Sequence, residues 1–144
     1  MARYRTTITS TKSPDDAFEY LADFVNAAEW DPGVVEGTHL TSGPPGPGSR
    51  FRLVASFLGR RVPLEYEIVA FERGRRVVFR ADDSKVRSVD EIRFAGDGGE
   101  TSVTYDADLR VKGLLGALVD PLLALAFRRI GDRAAAGLRR ALNA

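Results

Sequence analysis

Residues 62–111 read VPLEYEIVAFERGRRVVFRADDSKVRSVDEIRFAGDGGETSVTYDADLRV, and this stretch decides the fold. Leu64, Tyr66 and Ile68 alternate with Glu65 and Glu67, the two-residue period of a strand with one buried face. Glu72-Arg73-Gly74-Arg75, Asp82-Asp83-Ser84 and Gly96-Asp97-Gly98-Gly99 are turn clusters. Between them lie strand-like runs over 77–81, 85–94 and 101–111, and in the last of these Val103, Tyr105, Ala107, Leu109 and Val111 share a face. No helix-period segment interrupts them. Parallel strands need long crossovers, so the stretch predicts an antiparallel meander.

The same pattern extends upstream. Residues 50–57 alternate, with Phe51, Leu53, Ala55 and Phe57 opposite Arg50 and Arg52. Leu58-Gly59-Arg60 reads as a hairpin turn. Residues 41–49 hold three glycines and three prolines and read as a loop, preceded by a strand over 34–40. Near the start, residues 3–11 read as a strand. Ser13 then caps a helix, Pro14 fits its first position, and Asp15 and Asp16 suit its positive end. Phe18, Leu21, Ala22 and Val25 give that helix an apolar face, Asn26 is placed to close it, and residues 27–30 form a second short turn ended by Asp31-Pro32-Gly33.

The C-terminal segment is helical from Pro121, with Asp120 as cap, to about Leu142, a length of about 33 Å. Leu123, Phe127, Ile130, Ala134, Leu138 and Ala141 form one stripe. Gly131 and Gly137 are costly inside a helix, which predicts close packing or local flexibility there. The expected class is α+β: a strand, two short helices, about six antiparallel strands and a long helix that covers the sheet's apolar face.

The chain has 144 residues, 44% of them hydrophobic and 28% charged, the proportions of one ordinary domain over 1–144. With 21 basic and 20 acidic residues the net charge is +1, which gives no electrostatic footprint for nucleic acid. Rich in arginine, alanine and glycine, the composition is that of a GC-rich bacterial genome. Cysteine is absent and His39 is the one histidine, so thiol chemistry, cysteine-ligated metals and two-histidine metal sites are excluded. No organic-cofactor motif is present; the loop Gly43-Pro44-Pro45-Gly46-Pro47-Gly48 lacks the lysine and hydroxyl ending of a phosphate loop. The polar N-terminus carries no signal pattern, and Asp120 and Pro121 break the longest apolar run. A cytoplasmic protein without membrane insertion is expected. A homodimer is compatible with the sequence.

Three stretches resemble a known family: Ser13-Pro14-Asp15-Asp16-Ala17-Phe18-Glu19-Tyr20-Leu21-Ala22-Asp23 followed by Trp30-Asp31-Pro32-Gly33-Val34; Tyr66-Glu67-Ile68-Val69-Ala70-Phe71 with Arg75-Arg76-Val77-Val78-Phe79-Arg80; and Gly99-Glu100-Thr101-Ser102-Val103-Thr104-Tyr105. They are similar to the polyketide cyclase/dehydrase and lipid-transport group of the START-like (SRPBCC) superfamily, over essentially the whole chain. The resemblance implies a helix-grip fold: a curved antiparallel sheet of about seven strands wrapped round a long C-terminal helix, with two short helices between strands 1 and 2 and a cavity between sheet and helix. It implies either a carrier of a small apolar molecule, such as a lipid, isoprenoid or polycyclic aromatic, or a cyclase/dehydratase acting in the same cavity. Fold alone does not choose between them.

On such a scaffold the inward-facing set is Phe51, Leu53 and Phe57, Tyr66 and Ile68, Phe79, Ile92 and Tyr105, with Phe127 and Ile130 from the helix. Each is a candidate ligand contact or plain core. The tyrosines are the more telling, because a buried hydroxyl needs a partner. Trp30 is either an entrance residue or an anchor for the short helix. Asp90 shares parity with Ser88, Ile92 and Phe94. If those face inward, a carboxylate enters an apolar cavity, where its pKa rises and it becomes a candidate acid or base; a bulge or a neutralising arginine are the alternatives. His39 is a second candidate base, or a solvent-exposed side chain. The apolar stretch over 114–125 would gate the cavity, touch a membrane or a second copy, or simply bury against the sheet.

Overall fold

Seven extended runs emerge where the alternation places them. The computed structural model describes residues 2–57 and 59–144, with the backbone alone at Asp97 and over 114–122. Strands β1 (Ala2–Ser10), β2 (Val34–His39), β3 (Arg50–Phe57), β4 (Arg60–Glu72), β5 (Arg76–Asp82), β6 (Val86–Asp97) and β7 (Glu100–Val111) form one antiparallel sheet in the order β1-β7-β6-β5-β4-β3-β2. β2 reaches β3 through the Gly/Pro-rich loop, and successive strands from β3 to β7 are joined by turns. At the β6–β7 turn Gly98 and Gly99 take φ of 57° and 93°, the left-handed pair that a two-residue hairpin needs and that glycine adopts without strain. The β3–β4 hairpin closes on the pair Phe57↔Arg60; Leu58 of the expected turn lies outside the described residues.

β1 pairs with β7 from Ala2↔Leu109 to Ser10↔Thr101. The chain must therefore travel from one sheet edge to the other before β2. It does so through α1 (Pro14–Ala22), a 3-10 turn (Phe24–Asn26) and α2 (Ala27–Trp30). Ser13 Oγ accepts the Asp16 N–H at 3.1 Å, so the expected cap forms. The helix stops earlier than its apolar spacing predicts, at Ala22 rather than Asn26. Asn26 still closes it, but with its side chain: Nδ2 donates to the Tyr20 carbonyl at 2.8 Å. The break lets Phe24 drop onto Phe79, with ring centroids 3.9 Å apart and planes 6° from parallel.

α3 (Gly113–Leu142) spans 30 residues and begins well before Pro121. The Leu- and Ala-rich segment is a strong helix former, and it carries the helix through the position expected to start it. The side chains over 114–122, including most of the apolar stretch expected to gate or bury, lie outside the described residues. α3 packs along β1, β7 and α2. Its two interior glycines mark close approach. A Cβ at Gly131 would sit 2.3 Å from Tyr4 Cδ2, and one at Gly137 would sit 1.8 Å from the Trp30 carbonyl oxygen.

The dense half of the core lies under α1 and the 3-10 turn. Phe18 meets Phe71 and Phe94 edge-on. Phe51, Ile68, Phe79 and Ile92 are all essentially fully buried there, each worth roughly 1.5–3 kcal/mol of transfer free energy.

Candidate functional site

The other half of the space between sheet and α3 is not filled. Small residues face one another across it: Ala55 on β3, Ala107 on β7, and Gly131, Ala134 and Ala135 on α3. The gap is a cavity of about 220 Å³. Its wall is largely apolar, with Leu64 from β4, Leu109 and Val111 from β7, and Leu138 from α3.

At its buried floor sits a polar cluster built from β6, β7 and, across β5, β4. β6 pairs Asp90 with Ala107 and Ile92 with Tyr105, so Asp90 and Tyr105 are diagonal neighbours on one face. Tyr105 Oη donates to Asp90 Oδ2. Ser88 Oγ donates to Asp90 Oδ1 at 3.3 Å. Since that uses the serine hydrogen, Tyr66 Oη donates to Ser88 Oγ, at 2.8 Å. Tyr66, Ser88, Asp90 and Tyr105 are all buried. Trp30 leans on this floor, its ring edge-on to Tyr105 at 5.5 Å.

Burial pushes the Asp90 carboxyl up to about 6, against the opposing pull of the Tyr105 and Ser88 hydrogen bonds. Burial and the nearby Asp90 carboxylate both push the Tyr66 and Tyr105 phenols up, so both hold their protons at neutral pH. Asp31, after α2, also borders the cavity. Its Oδ1 accepts the Gly33 N–H at 2.8 Å, and burial outweighs that bond, so its carboxyl too is raised. The site thus holds a carboxyl able to exchange a proton near neutral pH, two protonated phenols, and an apolar wall. Among the described residues no cluster of three or more His, Cys, Asp or Glu is placed to hold a metal ion.

Of the residues expected from sequence, Trp30, Leu53, Phe57 and Tyr66 border the cavity. So do Asp90, Tyr105, Phe127 and Ile130. Four do not. Phe51, Ile68, Phe79 and Ile92 face inward as expected, but the stacked Phe24 and the helices above them make that half solid core. His39 also stands apart. It is exposed at the end of β2, with Nε2 2.7 Å from Asp23 Oδ1. Sequence reading passed over Tyr4, Asp31 and Ser88 as wall residues. Tyr4 and Ser88 carried a usable signal, because each shares parity with inward-facing neighbours on its strand.

The protein-family model for polyketide cyclase/dehydrase and lipid transport matches residues 1–143. The chain belongs to this family. Solved structures agree on the fold of this polyketide cyclase/dehydrase and lipid-transport member. The TTHA0849 protein of Thermus thermophilus is 17% identical, with a TM-score of 0.80 over 97% of this chain and 96% of that one. A START superfamily protein from Mycobacterium smegmatis is 15% identical, with a TM-score of 0.79 over 99% and 97%. The Zhui aromatase/cyclase from Streptomyces sp. R1128 is 17% identical, with a TM-score of 0.74 over 97% and 90%. At such identities these likenesses establish the helix-grip fold alone. No curated protein matches the chain. Among the described residues, no helix is long and apolar enough to cross a membrane.

Proposed function

We propose that the chain, as one helix-grip domain, binds a small apolar molecule in the cavity between sheet and α3. The observation that carries this reading is an unfilled apolar space of about 220 Å³ that ends on a buried, hydrogen-bonded carboxylate. Apolar burial supplies most of the affinity, and Tyr66, Tyr105 and Asp90 orient the ligand. The lipid-transport half of the family description is consistent with it.

A second reading is favoured by one observation, the Asp90 carboxyl raised to about 6. In it the cavity folds a polyketide-like chain. Asp90 as carboxylate takes the proton from a carbon between carbonyls, and that carbon attacks a second carbonyl to close a ring. The new alkoxide takes a proton from solvent. Loss of water then follows, with Asp90 returning its proton to the departing hydroxyl and a second ring proton leaving to solvent. The similarity in fold to an aromatase/cyclase is compatible with this chemistry.

Native mass spectrometry of freshly purified protein, followed by solvent extraction, tests the first reading. A retained apolar molecule of defined mass supports it. A clean mass, together with no saturable binding of any neutral aromatic probe, overturns it. Asp90→Asn separates the two readings: binding changes modestly in a carrier, whereas turnover is lost in a cyclase.

A further inference from the structure

The wall of the cavity is one-sided in charge. Asp31 and Asp90 border it, and among the described residues no lysine, arginine or histidine does. Leu58 and residues 114–122 include no basic residue either. The chain has 21 lysines and arginines, and Arg128, Arg129 and Arg133 sit on the helix that forms one wall, yet these three point to solvent.

Hydrogen-bond direction adds a second, independent bias. The three wall tyrosines all direct their hydrogens at protein. Tyr105 donates to Asp90, Tyr66 to Ser88, and Tyr4 to Asp132 Oδ1 at 2.7 Å. Ser88 donates to Asp90. What these groups still offer a ligand is acceptor capacity, on the Asp90 carboxylate and on the phenol and serine oxygens. Thr6 and Ser56 also border the space, but a neutral hydroxyl does not offset the charge of an incoming anion.

We infer that the cavity selects against negative charge, taking an apolar body whose polar end donates hydrogen bonds, a hydroxyl or a protonated amine, and rejecting carboxylates, free fatty acids included. This rests on the cavity-binding reading above and narrows its ligand class. Size narrows it further. An apolar cavity on the order of 150 Å³ holds one benzene ring, so about 220 Å³ suits one or two fused rings. An anion brought beside Asp90 meets a like charge where water does not screen it, and the wall tyrosines and Ser88 have already committed their hydrogens to protein.

The test uses four probes of matched shape on the full chain at pH 7.5, by calorimetry or ligand-observed NMR: naphthalene, 2-naphthol, 2-naphthylmethylammonium and 2-naphthoate. The expected result is that 2-naphthol and the ammonium bind, and 2-naphthoate binds at least tenfold more weakly than 2-naphthol. In Asp90→Asn that gap narrows at least threefold; if this variant does not fold, Asp31→Asn is read in its place. Naphthoate binding as tightly as naphthol overturns the inference, as does binding of naphthalene with none of the three substituted probes. Failure of all four probes overturns the cavity-binding reading itself, and the inference falls with it.

Discussion

Tyr105 and Asp90 lie diagonally across the β6–β7 ladder, and the phenol donates its hydrogen to the carboxylate at the floor of an otherwise apolar cavity. A buried charge with a single strong donor and, among the described residues, no cation beside it is an unusual expense for a small domain. Its consequence is a pH dependence with a definite sign. The folded-state carboxyl is raised to about 6 from 3.8, first by burial. Between these values the native state holds a proton that the unfolded chain has released, so Asp90's contribution to stability is full below pH 4 and is lost as pH rises through 6. The gap of about two units corresponds to about 3 kcal/mol. Asp90→Asn removes it. The variant's stability relative to wild type should therefore grow by up to about 3 kcal/mol from pH 4 to pH 7.5 in urea titrations. A difference that does not vary with pH would show that Asp90 is not buried as a carboxylate.

Filling the cavity should separate binding from folding. Ala107 lies beside Asp90 on β7 and faces the open space. Ala107→Leu should weaken binding of 2-naphthol at least tenfold, while unfolding free energy stays level or rises by about 0.5–2 kcal/mol. A large loss of stability would mean that no room exists there.

Gly137 lets α3 approach α2. On helix propensity alone Gly137→Ala gains about 1 kcal/mol. The added Cβ would sit 1.8 Å from the Trp30 carbonyl oxygen, a backbone atom that moves only if α2 moves. A net loss of about 2 kcal/mol or more is expected, read from the urea midpoint. A stabilised variant would contradict the close packing of α2 on α3.

His39 is expected to be dispensable at the site. Its exposed pair with Asp23 is worth about 0.2–1 kcal/mol, and the ring does not border the cavity. In His39→Ala, naphthol affinity should stay within twofold of wild type and stability within about 1 kcal/mol. A loss of binding beyond tenfold would return His39 to the site.

Much of this was readable from local pattern. Asp90 faces inward because Ser88, Ile92 and Phe94 do, and strand parity needs only the sequence. Ser13, Pro14 and the two aspartates start α1 through contacts within a few residues. The start of α3 was misplaced because a proline that fits a first turn also fits, at the loss of one hydrogen bond, inside a helix long enough to tolerate it.

The sequence by itself determined the alternation, the turns, the order of elements and hence the inward-facing set, because each depends on neighbours within a turn or a hairpin. Only the tertiary structure decided which inward residues are core and which line a cavity. Phe51, Ile68, Phe79 and Ile92 obey the same two-residue period as Leu53, Tyr66, Asp90 and Tyr105. What divides them is where the 3-10 turn lays Phe24, and where small residues on β3, β7 and α3 come to face one another. Both are contacts between segments far apart in sequence, and a period of two has no information about them.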